Sequence, residues 1–256
     1  MFLSLVRAGS ASDAPAWVEP MKKVHEGFQG TSGYVVQLGD SITYSMAFWS
    51  PMGWSDPATY LSEPDGLPAR PKGGQWKHVI HGVRDKGGKH GNYSGWRTGN
   101  ILRVMDGILA SKKPETAIVM IGTNDSAGGK VPEAYEKGLR AIVEKCLAVH
   151  CIPILNTIPP RRKHPDAVLA VNRIVRRVAE EHRIPLVDYY QACLDRRPGQ
   201  TWQGTVISRD GIHPSGGKTN DYSEENLKMS GYALRNWMNF LTYRQLYFHV
   251  LHPDEQ

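Results

Sequence analysis

Ser41 follows the apolar run Tyr34-Val35-Val36-Gln37-Leu38 in the sequence Gly39-Asp40-Ser41. A serine at the carboxyl end of a buried strand, where a helix begins, faces a cleft with backbone N–H groups converging beside it. Its hydroxyl is a weak nucleophile and needs a positioned base to take its proton. His213, in Asp210-Gly211-Ile212-His213-Pro214, is the candidate base. Asp210 can reach Nδ1 of that imidazole across a tight turn, leaving Nε2 for Ser41. A carboxylate so placed selects the tautomer and stabilises the imidazolium as it forms. Each segment alone also has a plainer reading. Gly-Asp-Ser suits a strand ending in a turn with a capping serine, and Asp-x-x-His suits a surface turn with a capping aspartate.

Two further segments bear on that choice, Asn92-Tyr93-Ser94-Gly95 and Gly122-Thr123-Asn124-Asp125. With the Ser41 and His213 segments they resemble, in order, the sequence blocks of the SGNH hydrolases, also called the GDSL esterase/lipase family. The resemblance runs from residue 34 to about residue 240. It implies a serine esterase with Ser41, Asp210 and His213 as catalytic residues and no cofactor or metal. It also implies an oxyanion hole built from the N–H of Ser41, the N–H of Gly95 and the side-chain amide of Asn124. Each such donor is worth roughly 3 kcal/mol in acyl-transfer enzymes. A glycine at position 95 makes physical sense, because a missing Cβ lets the backbone approach substrate closely. Asp40 and Asp125 are expected to brace loops by accepting backbone N–H bonds. The order Ser, Asp, His also occurs in α/β-hydrolases, but those carry the nucleophile in Gly-x-Ser-x-Gly, which Gly39-Asp40-Ser41-Ile42-Thr43 does not match.

The elements that must carry these residues alternate between strand and helix. Strands are expected at Tyr34–Leu38, His78–Val83, Thr116–Ile121, Cys151–Leu155 and Pro185–Val187. Helices are expected at Arg97–Ser111, Pro132–Val149, Asp166–His182 and Glu224–Val250, the last with a possible break. In the first helix Ile101, Leu102, Met105, Ile108 and Leu109 recur at helical spacing, whereas Thr116–Ile121 is continuously apolar, as a strand buried on both faces requires. This alternation predicts an α/β fold with a parallel sheet and helices on both faces. The motif residues then fall in loops beyond the carboxyl ends of strands, where such sheets bind ligands. The resemblance adds a three-layer, flavodoxin-like α/β/α arrangement with about five strands.

A chain of 256 residues supports one such core. Residues 31–256 are read as a single domain, residues 1–30 as an N-terminal extension, and about 48–76 as a Trp/Pro/Gly-rich insertion. Lys and Arg number 31 against 25 acids, a net charge of +6. The excess is spread out, and its densest cluster, Arg161-Arg162-Lys163, reads as a solvated loop rather than a nucleic-acid site. The three cysteines show no metal-ligand spacing and read as buried thiols. No apolar run reaches the ~18 residues of a membrane span. Met1–Val6 hints at the remnant of a secretory signal, which would mean a secreted or periplasmic protein; an ordinary terminus would leave it cytoplasmic.

The insertion should lie over the cleft, and Trp49, Trp54, Trp96 and Trp202 are candidate platforms for a sugar or aryl ring. The alternative is that these aromatics pin the insertion onto the domain. A hydrophilic chain with only five Phe argues against a long acyl pocket. Short-chain ester hydrolysis, with acetyl groups on a carbohydrate as the first substrate, is therefore the expected function. A lipase, lysophospholipase or thioesterase of the same family is one alternative. A catalytically inactive carbohydrate-binding domain is another.

Overall fold

The computed structural model describes residues 14–61 and 65–256. The suspected signal remnant at Met1–Val6 lies outside the described residues. Four strands form one parallel sheet in sequence order: β1 Thr31–Gly39, β2 Pro114–Met120, β3 Ile152–Asn156 and β4 Leu186–Val187. Helices α3 (Thr98–Lys112), α4 (Glu133–Ala148) and α5 (Pro165–His182) make the crossovers and pack side by side, α3 against β1, and α4 and α5 against β3. A monotonic strand order with right-handed crossovers puts all three on one face. The other face is covered by α1 (Val18–His25) and by a C-terminal helix, which contact β3 and β4. Every residue of β2 and β3 is buried, which explains the apolar runs Ala117–Met120 and Ile152–Leu155 within them.

The expected strand at His78–Val83 is reduced to one parallel bridge between His81 and Tyr34. A 3₁₀ turn at Trp76–His78 leads into it, and Gly82, at φ +74°, ends it. The sheet therefore has four strands, one fewer than the resemblance suggested. The expected C-terminal helix is likewise divided. Helix α7, Glu224–Leu227, stops short, and α8 runs Gly231–Leu246, where Ser230 caps it by accepting the Ala233 N–H at 3.2 Å. A π-helical turn at Tyr247–Leu251 follows.

Helix α1 packs into the same core. Val18 and Met21 are buried there, and His25 Nε2 lies 2.9 Å from Glu115 on β2. The insertion does not roof the cleft with its large aromatics. Phe48, Trp49 and Trp76 are fully buried, with Trp49 edge-on to Tyr243 and Trp76 edge-on to Phe240 of α8. Burying a large aromatic face stabilises a folded chain by more than an exposed platform could, so these rings hold the insertion to the domain.

Candidate active site

Strand register brings the loops of the motif segments to one edge. Gly39 pairs with Met120 and Val119 with Leu155, so the segments after β1, β2 and β3 emerge side by side. Short helix α2 begins at Ser41 itself (Ser41–Tyr44), and Asp40 caps it by accepting the Ile42 N–H at 3.0 Å. The Gly95 loop is tied directly to β1. Gly39 N–H donates to the Gly91 carbonyl at 3.0 Å and Tyr93 N–H donates back to Gly39 at 3.3 Å. Asn92, fully buried, donates Nδ2 to the Gln37 carbonyl at 2.9 Å and accepts the Gly87 N–H at 3.1 Å.

The side chains of Ser41, His213 and Asp210 meet. Ser41 Oγ is 2.9 Å from His213 Nε2, and His213 Nδ1 is 2.6 Å from Asp210 Oδ2. The turn that sets this up is held by Asp210 Oδ1, which accepts the Ile212 N–H at 2.8 Å, the His213 N–H at 3.0 Å and the Ser208 hydroxyl at 2.6 Å. Partial burial alone would raise the Asp210 carboxyl. The hydrogen bonds from Ser208, His213 and Ile212 outweigh it and hold the group well below the usual carboxylate range. Gly211, at φ +72°, needs to be glycine: a Cβ there would lie 2.8 Å from Arg162 Cβ.

The prospective donors lie in the loops after β1 and β2 and in the Gly95 loop tied to β1. Gly95 sits at φ +75° with open space where a Cβ would be. The N–H groups of Ser41 and Gly95 find no acceptor among the described residues. Asn124 Nδ2 donates to the Trp96 carbonyl at 3.0 Å, which aligns the amide along the Gly95 loop. Asp125 accepts the Thr98 N–H at 3.2 Å and the Thr98 hydroxyl, clamping the start of α3 to the loop after β2. Ser41 thus has an adjacent base in His213, and its own N–H and that of Gly95 are unspent, two features that acyl transfer uses.

Beneath the nucleophile lies a buried polar layer that the sequence analysis did not single out. Arg235 of α8 is fully buried and donates Nη1 to the Ile42 carbonyl and Nη2 to the Thr43 hydroxyl, each at 3.1 Å. Its guanidinium lies 3.5 Å from the Phe48 ring centroid, and burial pushes its pKa down to about 10. Lys86 holds the same segment from the other side, donating to the Thr43 carbonyl at 2.8 Å and that of Phe48 at 3.0 Å. Burial pushes the Asp40 carboxyl up to about 6, against the pull of the Ile42 N–H and the Arg235 charge. Its Oδ2 points toward the Thr123 hydroxyl without completing a full hydrogen bond. A signal for Arg235 was available, since it sits among Ala233, Leu234 and Trp237 in an apolar helix.

The tryptophans separate. Trp49 is buried against α8 and offers no face to substrate, which corrects its assignment as a platform. Trp54 is exposed and pairs with Arg84, whose guanidinium lies 5.1 Å from its ring, rather than with a residue of the site. Half-buried Trp96 adjoins Gly95, with its ring 6.3 Å from that of Tyr93 and its carbonyl on Asn124. Trp202 is half-buried in a cleft beyond β3 and β4 with Arg161 and Tyr190. Two aromatics not foreseen as substrate residues complete the near rim. Tyr44, one turn after Ser41, and Tyr93, two residues before Gly95, are 36% and 48% exposed with ring centroids 5.1 Å apart.

Residues 38–216, more than half of the chain, match the GDSL-like Lipase/Acylhydrolase family. No curated protein matches the chain. Among solved structures it is similar to the lipase/acylhydrolase from Enterococcus faecalis, at TM-score 0.55 and 17% identity over 82% of this chain and 95% of that one. The psychrotrophic esterase EstA from Pseudoalteromonas sp. aligns at TM-score 0.53 and 16% identity, covering 83% of this chain and 97% of that one. The acetylxylan esterase Axe2 from Geobacillus stearothermophilus aligns at TM-score 0.51 and 17% identity, covering 86% and 94% respectively. With the matched segment carrying the Ser41, Gly95, Asn124 and His213 blocks on the fold these structures share, the chain belongs to the GDSL-like lipase/acylhydrolase family and is a carboxylic ester hydrolase.

Proposed function

We propose that the ester cleaved is a short-chain one, an acetyl group on a carbohydrate hydroxyl, and that Ser41, His213 and Asp210 carry the reaction. Ser41 Oγ attacks the acetyl carbonyl while His213 Nε2 takes its proton. The charge that develops on the carbonyl oxygen is received by the N–H groups of Ser41 and Gly95 and the amide of Asn124. His213 then protonates the departing sugar oxygen, leaving an acetyl-enzyme. Water, deprotonated by the same imidazole, attacks that acetyl group and releases acetate. Asp210 stays ionised throughout and holds the imidazole orientation.

The observation that carries the sugar reading is the strip of exposed Tyr44 and Tyr93 and half-buried Trp96, with successive rings 5.1 and 6.3 Å apart, beside the nucleophile and Gly95. Flat aromatic faces pack against the C–H surface of a pyranose, and the phenol hydroxyls remain free for polar contacts. The acetylxylan esterase among the similar folds supports the same substrate class. The test is a 4-nitrophenyl ester series from acetate to long chains, beside acetate release from acetylated xylo-oligosaccharides. Acetate should be the best aryl ester, and Tyr93→Ala should raise KM on the oligosaccharide several-fold more than on 4-nitrophenyl acetate. Rates that climb steadily with acyl length, with no release from the oligosaccharides, would sink the proposal.

A further inference from the structure

The cluster read from sequence as a solvated loop has one member that is not solvated. Arg161 is half-buried, and its Nη1 donates to the Thr123 carbonyl at 3.1 Å, in the same segment as Asn124. Its Nε is sealed from water without an acceptor. Arg140 is paired with Glu181, Arg176 with Asp188 and Arg244 with Asp65, while Arg235, also without a carboxylate, spends all three of its guanidinium nitrogens on Asn156, Ile42 and Thr43. Among the described residues Arg161 has no carboxylate partner. A guanidinium withdrawn from water and left uncompensated is costly, and a fold that retains one holds an unspent anion-binding group.

Arg161 opens onto a cleft of about 280 Å³ with Pro160, Tyr190, Leu194, Gln200 and Trp202. Its neighbours Arg162, Lys163 and Arg209 are exposed, and of the nearby acids Asp210 is taken up by His213 and Ser208 while Asp166 is solvated. The cleft thus joins aromatic rings, an amide side chain and a net positive field. It is also continuous with the active site through the loops. Arg162 N–H donates to Gly211 between Asp210 and His213 at 3.0 Å, and Ile207, next to Ser208, donates to the Trp202 carbonyl at 2.9 Å. Arg161 lies in the loop after β3, two strands along the sheet from β1, which carries Ser41. That separation suits a sugar ring near, but not at, the ester.

We infer that Arg161 and Trp202 form a subsite for a carboxylate-bearing sugar ring, a uronic acid unit of the acetylated substrate. The ring packs on Trp202 and the carboxylate takes the guanidinium N–H groups that the Thr123 carbonyl leaves free. This inference rests on the carbohydrate reading proposed above.

The experiment compares acetylated xylo-oligosaccharides with and without a glucuronic acid branch on the same backbone. For the native protein, kcat/KM should be roughly tenfold or more higher for the acidic substrate at low salt, as a charge-assisted hydrogen bond implies. That advantage should shrink as ionic strength rises. Arg161→Gln should bring the acidic-to-neutral ratio close to one, Arg161→Lys should keep part of it, and Trp202→Ala should lower kcat/KM on the acidic substrate with little change on the neutral one. As a measurement on the native protein alone, the deacetylated acidic oligosaccharide should inhibit 4-nitrophenyl acetate hydrolysis at lower concentration than its neutral counterpart. Equal kcat/KM with equal inhibition overturns the subsite while the carbohydrate reading stands. So does an Arg161→Gln variant that loses rate on both substrates with the ratio intact, since Arg161 would then serve only the Thr123 loop. If neither oligosaccharide is cleaved while 4-nitrophenyl acetate is, the carbohydrate reading has failed and the subsite falls with it.

Discussion

His213 Nε2 stands 2.9 Å from Ser41 Oγ although 172 residues separate the two in the chain. Neither residue reaches across by a long flexible side chain. Ser41 is held at the end of β1 by the Asp40 cap, and His213 by a turn whose Ile212 and His213 N–H groups and imidazole bond to Asp210. A contact fixed from both sides in this way is preorganised, so little reorganisation is needed when the proton moves.

Ser41→Ala should therefore abolish ester hydrolysis, with kcat falling by about three orders of magnitude or more, while the melting temperature stays near that of the native protein. Fluorophosphonate labelling should be confined to Ser41 and lost in the variant. Retained turnover in Ser41→Ala would place the nucleophile elsewhere.

Asp210→Asn should lower kcat by ~10⁴, because an amide can no longer select the tautomer that leaves Nε2 free to accept a proton. In the native protein Asp210 is already ionised far below neutrality, so its carboxylate adds no protonation of its own to the acid limb of the profile. A log kcat/KM profile falling with unit slope on the acid side is the expected result; a slope of two would mean that the carboxylate titrates as well.

Asn124→Ala should reduce kcat by about 10²–10³ with a much smaller change in KM, as removal of one oxyanion donor does elsewhere. The Trp96 carbonyl would also lose its 3.0 Å partner, so a thermal melt is needed beside the kinetics. A rise in KM alone would mean that the amide binds the ground state and not the charge that develops.

The buried Asp40 gives a stability signature of opposite sign to an ordinary paired carboxylate. Its pKa rises from 3.8 to about 6 on folding, so between those values the native state holds a proton that the unfolded chain has released. Stability should then fall as pH rises from about 4 to about 6, by roughly 3 kcal/mol at 1.36 kcal/mol per unit. Asp40→Asn keeps the capping oxygen and cannot ionise. Chemical denaturation at several pH values should show this window flattened in the variant, and an unchanged curve would contradict the assignment.

Removing Arg235 should be structural in effect. Arg235→Ala leaves the Ile42 carbonyl and Thr43 hydroxyl without their donors in a sealed site and opens a void against Phe48. A loss of about 3 kcal/mol or more by urea denaturation is expected. If stability is unchanged, water has replaced the guanidinium.

The sequence by itself determined the chemistry-bearing blocks and most of the elements beneath them. Glycine, aspartate, serine, asparagine and histidine occur in these blocks because turns, caps and proton transfer demand those residue types locally. Buried parallel strands are likewise written as apolar runs, and Thr116–Ile121 is readable for that reason. Tertiary structure alone decided the rest. The His78–Val83 edge narrowed to one bridge because a glycine conformation, not hydrophobicity, ends it. Trp49 went inward and Tyr44 and Tyr93 outward because each ring's fate depends on what α8 and the Gly95 loop bring against it. Arg161 was silent for the same reason, and the apolar neighbours of Arg235 marked it as buried without showing what it would hold. A charged side chain acquires a role from the carbonyls and rings that surround it, and those arrive from strands and helices far along the chain.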